Sequence, residues 1–321
     1  YKHFKYDMVK QGKRQVGSSF KPFVYATAID QLHMSPCDTL PNTPYTIEEG
    51  KYGLLKPWTP KNAGDKYGGM VNLKVALAES HNVVSANLID KTGPAPVIDL
   101  VKKLGIDTSE MATGPAIALG TTDISMFEMV AAYSVFANEG VYVEPVMVFR
   151  IEDKNGTVLF QHVPNTRDVI SAESAYVTTS LMEGVTQGGS GGRLRRTWSN
   201  EFYDKVMTGY PYAFTNPIAG KTGTTQNQSD GWFMGMVPNL VTGVWVGGED
   251  RSVRFPTITY GQGATMALPI WGYYMKMCYE NESLEVSKEA FKKPSDLTIE
   301  TDCSKWKEGQ EKDELLDEFS F

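Results

Sequence analysis

The chain of 321 residues carries 38 acidic and 31 basic side chains, which gives a formal net charge of -7 and a pI of about 5.3. Because the basic residues are spread out, with adjacent pairs such as Arg195-Arg196 but no longer run, this balance argues against a nucleic-acid partner held by phosphate contacts. Hydrophobic residues at 41% exclude a disordered chain and predict a buried core, in one large domain or two smaller ones.

Three features bear on where the protein resides. No stretch approaches the roughly 20 apolar residues that span a bilayer. The chain opens at Tyr1 rather than at a methionine, so we expect a piece of a longer protein. Cys37, Cys278 and Cys303 are too few for a disulfide framework and lack metal-ligand spacing, which favours free thiols; a single bridge, such as Cys278 to Cys303, is the alternative.

Apolar residues at spacings of three and four predict helices in the first half of the chain. These helices span residues 18–32, 71–79, 83–91 and 123–138. Pro22 falls in the first turn of the first helix, where a missing N–H costs little. Gly93-Pro94 is a stop signal for the third helix.

The second half mixes strands and helices. Strands are predicted over 144–151 and 157–161, followed by a helix over 172–186 and a glycine-rich loop at 188–192. Three short apolar runs at 217–225, 231–237 and 240–247 are separated by tight turns, so we expect antiparallel strands. A helix over 266–279 closes the fold, and residues 285–321 are predicted to form a charged tail.

A Ser-x-x-Lys pattern at Ser18-Ser19-Phe20-Lys21 opens the first predicted helix. One helical turn places the Lys21 amine on the same face as the Ser18 hydroxyl. A serine hydroxyl is a poor nucleophile until a base removes its proton, and a desolvated lysine with a lowered pKa can serve as that base. The same pattern at Ser304 lies in the charged tail with no apolar helix behind it, so we set it aside.

A Lys-Thr-Gly pattern also occurs twice. Residues 91–93 run into Pro94 and are typical of a helix end. Lys221-Thr222-Gly223 lies within a predicted strand, which Thr224 extends. A strand at the border of a cleft can offer N–H groups to a bound peptide while threonine hydroxyls hold a carboxylate.

Ser80-His81-Asn82 is a Ser-x-Asn pattern that lies where two predicted helices join. Alone it is typical of a helix cap. Its position between Ser18 and Lys221 in the chain favours a catalytic interpretation of all three segments.

Together these segments resemble the penicillin-binding protein and serine β-lactamase superfamily, which combines S-x-x-K, S-x-N and K-T-G. Longer matches favour the bifunctional, class A penicillin-binding proteins. These matches are Arg14-Gln15-Val16-Gly17-Ser18-Ser19-Phe20-Lys21-Pro22, with Val16 where proline is usual, Trp58-Thr59-Pro60-Lys61-Asn62, the A-I-A-L-G run at 116–120, the K-T-G-T-T run at 221–225, and Asp230-Gly231-Trp232-Phe233. The resemblance covers about residues 4 to 280.

The resemblance implies an α+β fold, in which a mainly antiparallel central sheet is flanked by helices and accompanied by an all-helical subdomain, as in β-lactamases and transpeptidases. Residues 1–284 would form the transpeptidase domain, without the two strands that family members carry before the Ser18 helix. It also implies a parent protein with a membrane anchor and a glycosyltransferase domain, on the periplasmic face of the inner membrane.

The resemblance also implies catalytic roles. Ser18 would attack the carbonyl between the two terminal D-alanines of a peptidoglycan stem peptide, or a β-lactam ring. Lys21 would accept its proton, although the identity of the base is disputed within the superfamily. Ser80, supported by Lys221, would pass a proton to the leaving group. Neither a cofactor nor a metal is implied.

Substrate binding is assigned to a second set of residues by the same resemblance. Asn82 would hold the peptide amide, and the backbone N–H groups of Ser18 and Thr224 would form the oxyanion hole. The hydroxyls of Thr222 and Thr224 would bind the terminal carboxylate, with Gly223 between them on the strand.

Other enzyme classes fit less well. A P-loop requires a glycine where Thr215 stands. Residues 188–192 form a G-x-S-x-G, but the last histidine is His162, so the order of an α/β-hydrolase triad cannot be completed. A D,D-carboxypeptidase, a β-lactamase and a β-lactam sensor that does not turn over would share the site and remain alternatives.

Overall fold

The computed structural model of the chain describes residues 5–195, 197–198 and 210–304. The strands are β1 (Lys13–Gln15), β2 (Thr39–Pro41), β3 (Met70–Asn72), β4 (Asp123–Ser125), β5 (Val141–Val143), β6 (Arg150–Glu152), β7 (Val158–Gln161), β8 (Thr166–Asp168), β9 (Thr197–Trp198), β10 (Tyr210–Pro211), β11 (Ala219–Thr224), β12 (Asp230–Val237) and β13 (Leu240–Gly247). The α-helices are α1 (Lys21–Leu32), α2 (Leu73–Ala78), α3 (Asn82–Thr92), α4 (Pro94–Lys103), α5 (Met126–Ala137), α6 (Ala172–Gln187), α7 (Ile258–Gly261), α8 (Gly263–Met266) and α9 (Leu268–Glu280). Among the 3-10 turns, Gly17–Phe20 precedes α1 and Gly192–Arg195 follows α6.

The central sheet consists of β11, β12 and β13, paired antiparallel in chain order. Side chains of β12 alternate between two cores, as the period of a strand requires. Trp232 and Met234 join the larger core, with α1, α5 and α6, whereas Phe233 joins the smaller core beneath α9. Helices therefore cover both faces of an antiparallel sheet, and the predicted α+β fold is confirmed.

Helices α1 to α4 form the helical part of the fold. Helix α1 packs against α3, α4 and α6, and all but the last three of its residues are buried. The side chain of Asn72 caps α2 by accepting from the Val75 N–H at 2.9 Å. None of the helices in the described ranges is long and apolar enough to cross a membrane.

The predicted strand over 144–151 is wrong for most of its length. Only Arg150–Glu152 pairs, with Val158–Gln161, and together they form a short hairpin. Pro145 has no N–H to donate to a ladder, and the apolar side chains that suggested a strand point largely into solvent. We call residues 144–163 the outer hairpin.

Two of the predicted helices begin three residues later than the periodicity indicated. Residues 123–125 form the short strand β4, and the side chain of Ser125 then starts α5 through a capping box with Glu128. Similarly, the Gly17–Phe20 turn precedes α1, and Pro22 lies in the first turn of that helix as predicted.

Residues 285–304, the described part of the predicted charged tail, pack against the helices. Phe291 and Ile299 are buried in the larger core, and the Glu173 carboxylate accepts from the Ile299 N–H at 2.9 Å. The division of the chain at residue 284 stays a prediction, and the part of the tail at 305–321 lies outside the described residues.

Cys37 and Cys303 form a disulfide with Cα atoms 5.0 Å apart, and Cys278 is a buried free cysteine on α9. Both the preferred interpretation of free thiols and the alternative bridge from Cys278 to Cys303 are therefore wrong. The pairing depends on the path by which residues 285–303 return to the start of the helical region, and sequence spacing does not record that path.

An apolar groove of about 630 Å³ lies between α5 and β13. Val9, Val130 and Val146 are among the side chains that line it, and none of the candidate catalytic or substrate-binding residues does so. This apolar groove is thus separate from the site where Lys21, Ser80 and Lys221 meet, which we call the cleft.

Candidate active site

The segment before α1 is fitted against the central sheet by close backbone contacts. Gly17 has a φ of +54°, and a Cβ on it would lie 2.7 Å from the Thr224 carbonyl oxygen. A Cβ on Gly120 would lie 1.9 Å from the Gly17 carbonyl oxygen, so that position admits only glycine. Gly17 also donates its N–H to the Gly120 carbonyl at 3.0 Å. These contacts place Ser18 beside the Thr224 end of β11.

A buried ion pair holds the same segment from the other side. The Arg14 Nε donates to the Asp230 carboxylate at 2.8 Å, and Asp230 is fully buried. Burial alone would raise the pKa of Asp230, but hydrogen bonds from Ser229, Arg14, Trp245 and Thr225 outweigh it and lower the pKa. The Asp230-Gly231-Trp232-Phe233 segment at the start of β12 therefore anchors the Ser18 segment.

Lys21 and Lys221 converge on the hydroxyl of Ser80. The Lys21 Nζ lies 3.2 Å from the Ser80 Oγ, and the Lys221 Nζ lies 3.0 Å from the same oxygen. Lys21 also donates to the Ser80 carbonyl and to the Asn82 Oδ1, each at 2.7 Å. Within the described chain the Ser18 hydroxyl makes no hydrogen bond, so Lys21 is held on Ser80 and Asn82 in this state.

Burial shapes the electrostatics of both amines, because each side chain has 0% exposure. Desolvation lowers the pKa of Lys221 from its ordinary value of 10.5 to about 7. For Lys21, desolvation and then repulsion from Lys221 hold the pKa well below its ordinary value. A hydroxyl between two such amines can pass a proton in either direction near neutral pH.

Ser80 occupies a tight turn between α2 and α3. Its φ of +63° is in the left-handed region, which costs a non-glycine residue on the order of 1 kcal/mol. The Ser80 and His81 N–H groups donate to the Leu77 and Ala76 carbonyls, which fixes the turn. The strained backbone turns the hydroxyl toward both lysines.

Asn62 is a supporting residue whose role the sequence patterns did not assign. Its buried Oδ1 accepts from the Asn82 N–H at 2.8 Å and from the Val83 N–H at 3.2 Å. Asn82 in turn donates its Nδ2 to the Lys61 carbonyl at 2.7 Å. The W-T-P-K-N segment therefore orients Asn82, which its place in the quoted motif could have suggested.

Strand β11 brings Thr222 and Thr224 to the same face of the strand. The Thr224 Oγ1 accepts from the Gly263 N–H at 3.0 Å. A Cβ on Gly223 would lie 2.6 Å from the Val16 carbonyl oxygen, so glycine is required where the Ser18 segment crosses the strand.

Ser190 was missed as a site residue. Its Oγ lies 2.7 Å from the Thr222 Oγ1. The sequence pattern of this glycine-rich loop suggested only the nucleophile elbow of a hydrolase. No sequence signal linked this loop to the Lys-Thr-Gly strand.

The structure thus brings together Ser18, Lys21, Ser80, Asn82, Lys221, Thr222, Gly223 and Thr224, the eight residues predicted from the sequence. Among the described residues, no group of three or more histidine, cysteine or acidic side chains is suited to a metal ion.

Comparison with known proteins identifies the family to which the chain is similar. Residues 5–249 match the family model described as penicillin binding protein transpeptidase domain. Penicillin-binding protein 1A of Aquifex aeolicus is 33% identical over 294 residues, which are 90% of this chain and 37% of that protein. The chain therefore spans well under half the length of this curated relative.

Solved structures give the same result. The crystal structure of penicillin-binding protein 1A from Haemophilus influenzae superimposes with a TM-score of 0.76 at 27% identity, over 93% of this chain and 46% of that one. PonA1 from Mycobacterium tuberculosis, solved in complex with penicillin V, gives a TM-score of 0.74 at 25% identity, over 93% and 77% of the two chains.

Proposed function

Because the chain belongs to the penicillin-binding protein transpeptidase domain family, of the class A type, we propose that it is a serine D,D-transpeptidase that cross-links peptidoglycan stem peptides and is acylated by β-lactams. The observation that carries the proposal is the Ser80 hydroxyl held between the buried amines of Lys21 and Lys221. Together with Ser18 on the adjoining turn, these groups form a serine acyl-transfer site without an imidazole base.

In the acylation step, the Ser18 oxygen attacks the carbonyl between the two terminal D-alanines. Its proton passes to neutral Lys21, which the lowered pKa of that amine favours. The developing oxyanion is stabilised by the backbone N–H groups of Ser18 and Thr224. The close approach of Gly17 to the Thr224 backbone supports this assignment.

Breakdown of the tetrahedral intermediate requires a proton on the departing amine. Ser80 donates its hydroxyl proton to that nitrogen and recovers one from Lys21 or Lys221, both of which are in hydrogen-bond contact with it. D-alanine then leaves and an ester remains on Ser18. With a β-lactam the departing nitrogen belongs to the ring and stays tethered to the acyl group.

The substrate is held on both sides of the reacting bond. Asn82 binds the amide of the donor peptide, and the hydroxyls of Thr222 and Thr224 bind its terminal carboxylate from the edge of β11. An amine of a second stem peptide resolves the ester, loses a proton to the site and forms the cross-link. The partners are therefore peptidoglycan stem peptides and β-lactams.

The chain matches little more than a third of the curated relative, so several features belong to the proposal for the whole protein. We propose a parent protein with a membrane anchor and a glycosyltransferase domain, acting on the extracytoplasmic side of the inner membrane. The disulfide between Cys37 and Cys303 supports an oxidising compartment.

Labelling with a fluorescent penicillin tests the proposal. We expect one label per chain, attached to the peptide that contains Ser18 and stable for many minutes, and no label on Ser18→Ala. The matched control is Ser134→Ala, whose hydroxyl bonds the Ala131 carbonyl within α5 and lies outside the site. Both variants should melt close to the parent temperature.

The fate of the label separates the alternatives on the same site. Rapid loss of label with accumulation of hydrolysed drug would indicate a β-lactamase. A stable label combined with release of D-alanine to water, and no transfer to an added amine, would indicate a D,D-carboxypeptidase. A stable label with neither release nor transfer would indicate a β-lactam sensor.

A further inference from the structure

The contact between Ser190 and Thr222 joins two hydroxyls, and only one of them can donate. The Ser190 Oγ and the Thr222 Oγ1 are 2.7 Å apart. Each hydroxyl has one proton and can accept further bonds. The direction of this bond therefore decides whether the Thr222 proton is engaged within the protein or is available to a ligand.

Thr224 provides the internal comparison. Its oxygen accepts from the Gly263 backbone N–H, which can only donate. The Thr224 proton is consequently available for a further partner. Thr222 lies two residues earlier on the same face of β11, and no backbone N–H of the described residues donates to its hydroxyl. The polar partner in the equivalent place is the Ser190 hydroxyl.

The loop that carries Ser190 is built to hold it in place. The Ser190 N–H donates to the Ala78 carbonyl at 2.9 Å, and the Gly191 N–H donates to the Val185 carbonyl at 3.0 Å. A Cβ on Gly189 would lie 2.3 Å from the Ala78 oxygen, so the loop approaches the end of α2 at a distance only glycine permits. Ala78 lies two residues before Ser80.

We propose that Ser190 is a positioning residue, which donates its proton to Thr222 and thereby orients the Thr222 proton toward the carboxylate of the substrate. A carboxylate only accepts hydrogen bonds, so it requires both threonines as donors. Gly263 secures this orientation for Thr224, and Ser190 secures it for Thr222. The inference rests on the proposed function, in which these two threonines bind the terminal carboxylate.

The test compares acylation by benzylpenicillin, which bears the free carboxylate, with acylation by its methyl ester. For Ser190→Ala we expect the second-order rate constant with the acid to fall about tenfold, the effect of one charge-assisted hydrogen bond. The rate constant with the ester should change by less than about twofold, because the ester presents no anion. Ser190→Thr restores the hydroxyl and should recover the preference for the acid.

A double-mutant cycle shows whether Ser190 acts through Thr222. In a Thr222→Val background, Ser190→Ala should cause no further loss of the acid-to-ester ratio, since the coupled pair is already broken. Ser134→Ala is the control and should leave both rate constants unchanged.

Equal slowing of acid and ester by Ser190→Ala, or additive losses in the cycle, would overturn the inference, because a merely structural role predicts both. A parent protein that neither compound acylates would overturn the proposed function itself and this inference with it.

Discussion

The cleft and the outer hairpin both invert the usual rule that charges face water and hydrophobic side chains face the core. In the cleft, Lys21 and Lys221 are completely buried. In the outer hairpin, Met147 is 84% exposed and Phe149 is 67% exposed. The two inversions differ in how they are compensated, and that difference determines what a substitution in each region should do.

Hydrogen bonds from distant segments compensate the buried lysines. Lys221 reaches Ser80, 141 residues away in the chain, and Lys21 reaches both Ser80 and Asn82. The exposed apolar side chains of the outer hairpin lie in a segment whose strands, β6 and β7, pair with each other. A substitution that removes a buried lysine should therefore lower activity while stability is kept or raised. A substitution in the outer hairpin should change neither activity nor stability strongly.

The largest expected effect is on catalysis, in Lys221→Met. Methionine fills a similar volume without a charge to desolvate, so we expect acylation by benzylpenicillin to slow by about a hundredfold or more while the melting temperature is kept or raised. Stopped-flow acylation and thermal melting measure the two quantities. Parallel losses in rate and stability would show that Lys221 is a structural residue.

The pH dependence of stability provides the control for that variant. Between the folded pKa of Lys221, about 7, and the ordinary value of 10.5, the unfolded chain binds a proton that the folded chain does not. Stability of the parent should therefore rise with pH across this window, by up to about 1.4 kcal/mol per pH unit for one lysine. Lys221→Met should lose the contribution of Lys221 and keep that of Lys21, whose pKa is also lowered. A slope that does not decrease in this variant would contradict the lowered pKa of Lys221.

The next largest effect is expected at the scaffold of the cleft, in Asp230→Ala. This change leaves Arg14 without its buried partner, and we expect it to reduce the free energy of unfolding by about 3–5 kcal/mol. Urea denaturation measures the loss. Asp230→Asn keeps the size and an acceptor oxygen and should lose less; a loss of under about 1 kcal/mol for alanine would show that the ion pair does not anchor the segment.

The smallest effect is expected in the outer hairpin, in Leu159→Ser. Leu159 is 66% exposed, so its replacement should change the free energy of unfolding by less than about 0.5 kcal/mol and leave acylation unaltered. A loss of more than about 2 kcal/mol would show that the hairpin contributes to the core after all.

The sequence predicted the cleft better than the parts of the chain around it. Ser18, Ser80 and Lys221 could be recognised because acyl transfer requires particular groups at fixed spacings, and such groups leave a local pattern. Ser190 could not, because a single hydroxyl in a glycine-rich loop satisfies several patterns and its partner Thr222 is 32 residues away. The role of Asn62 depends likewise on a long-range contact.

The errors outside the cleft have physical causes of the same kind. The run at 144–149 has the composition of a buried strand, but tertiary packing leaves it unpaired and exposed. The disulfide of Cys37 depends on where the chain returns after α9. Propensity and periodicity report local conformational preference, and neither predicts which residues distant in sequence come into contact.

The cross-link between Cys37 and Cys303 closes a covalent ring with a sequence separation of 266 residues. Ser80 and Lys221 lie within the residues that the ring encloses, whereas Ser18 precedes Cys37 and lies outside the ring. A mechanical load applied to the chain beyond Cys303 would consequently pass through the disulfide to Cys37 and would bypass residues 38–302 of the ring. A pulling force from that end would therefore not separate the hydrogen-bonded strands of the sheet.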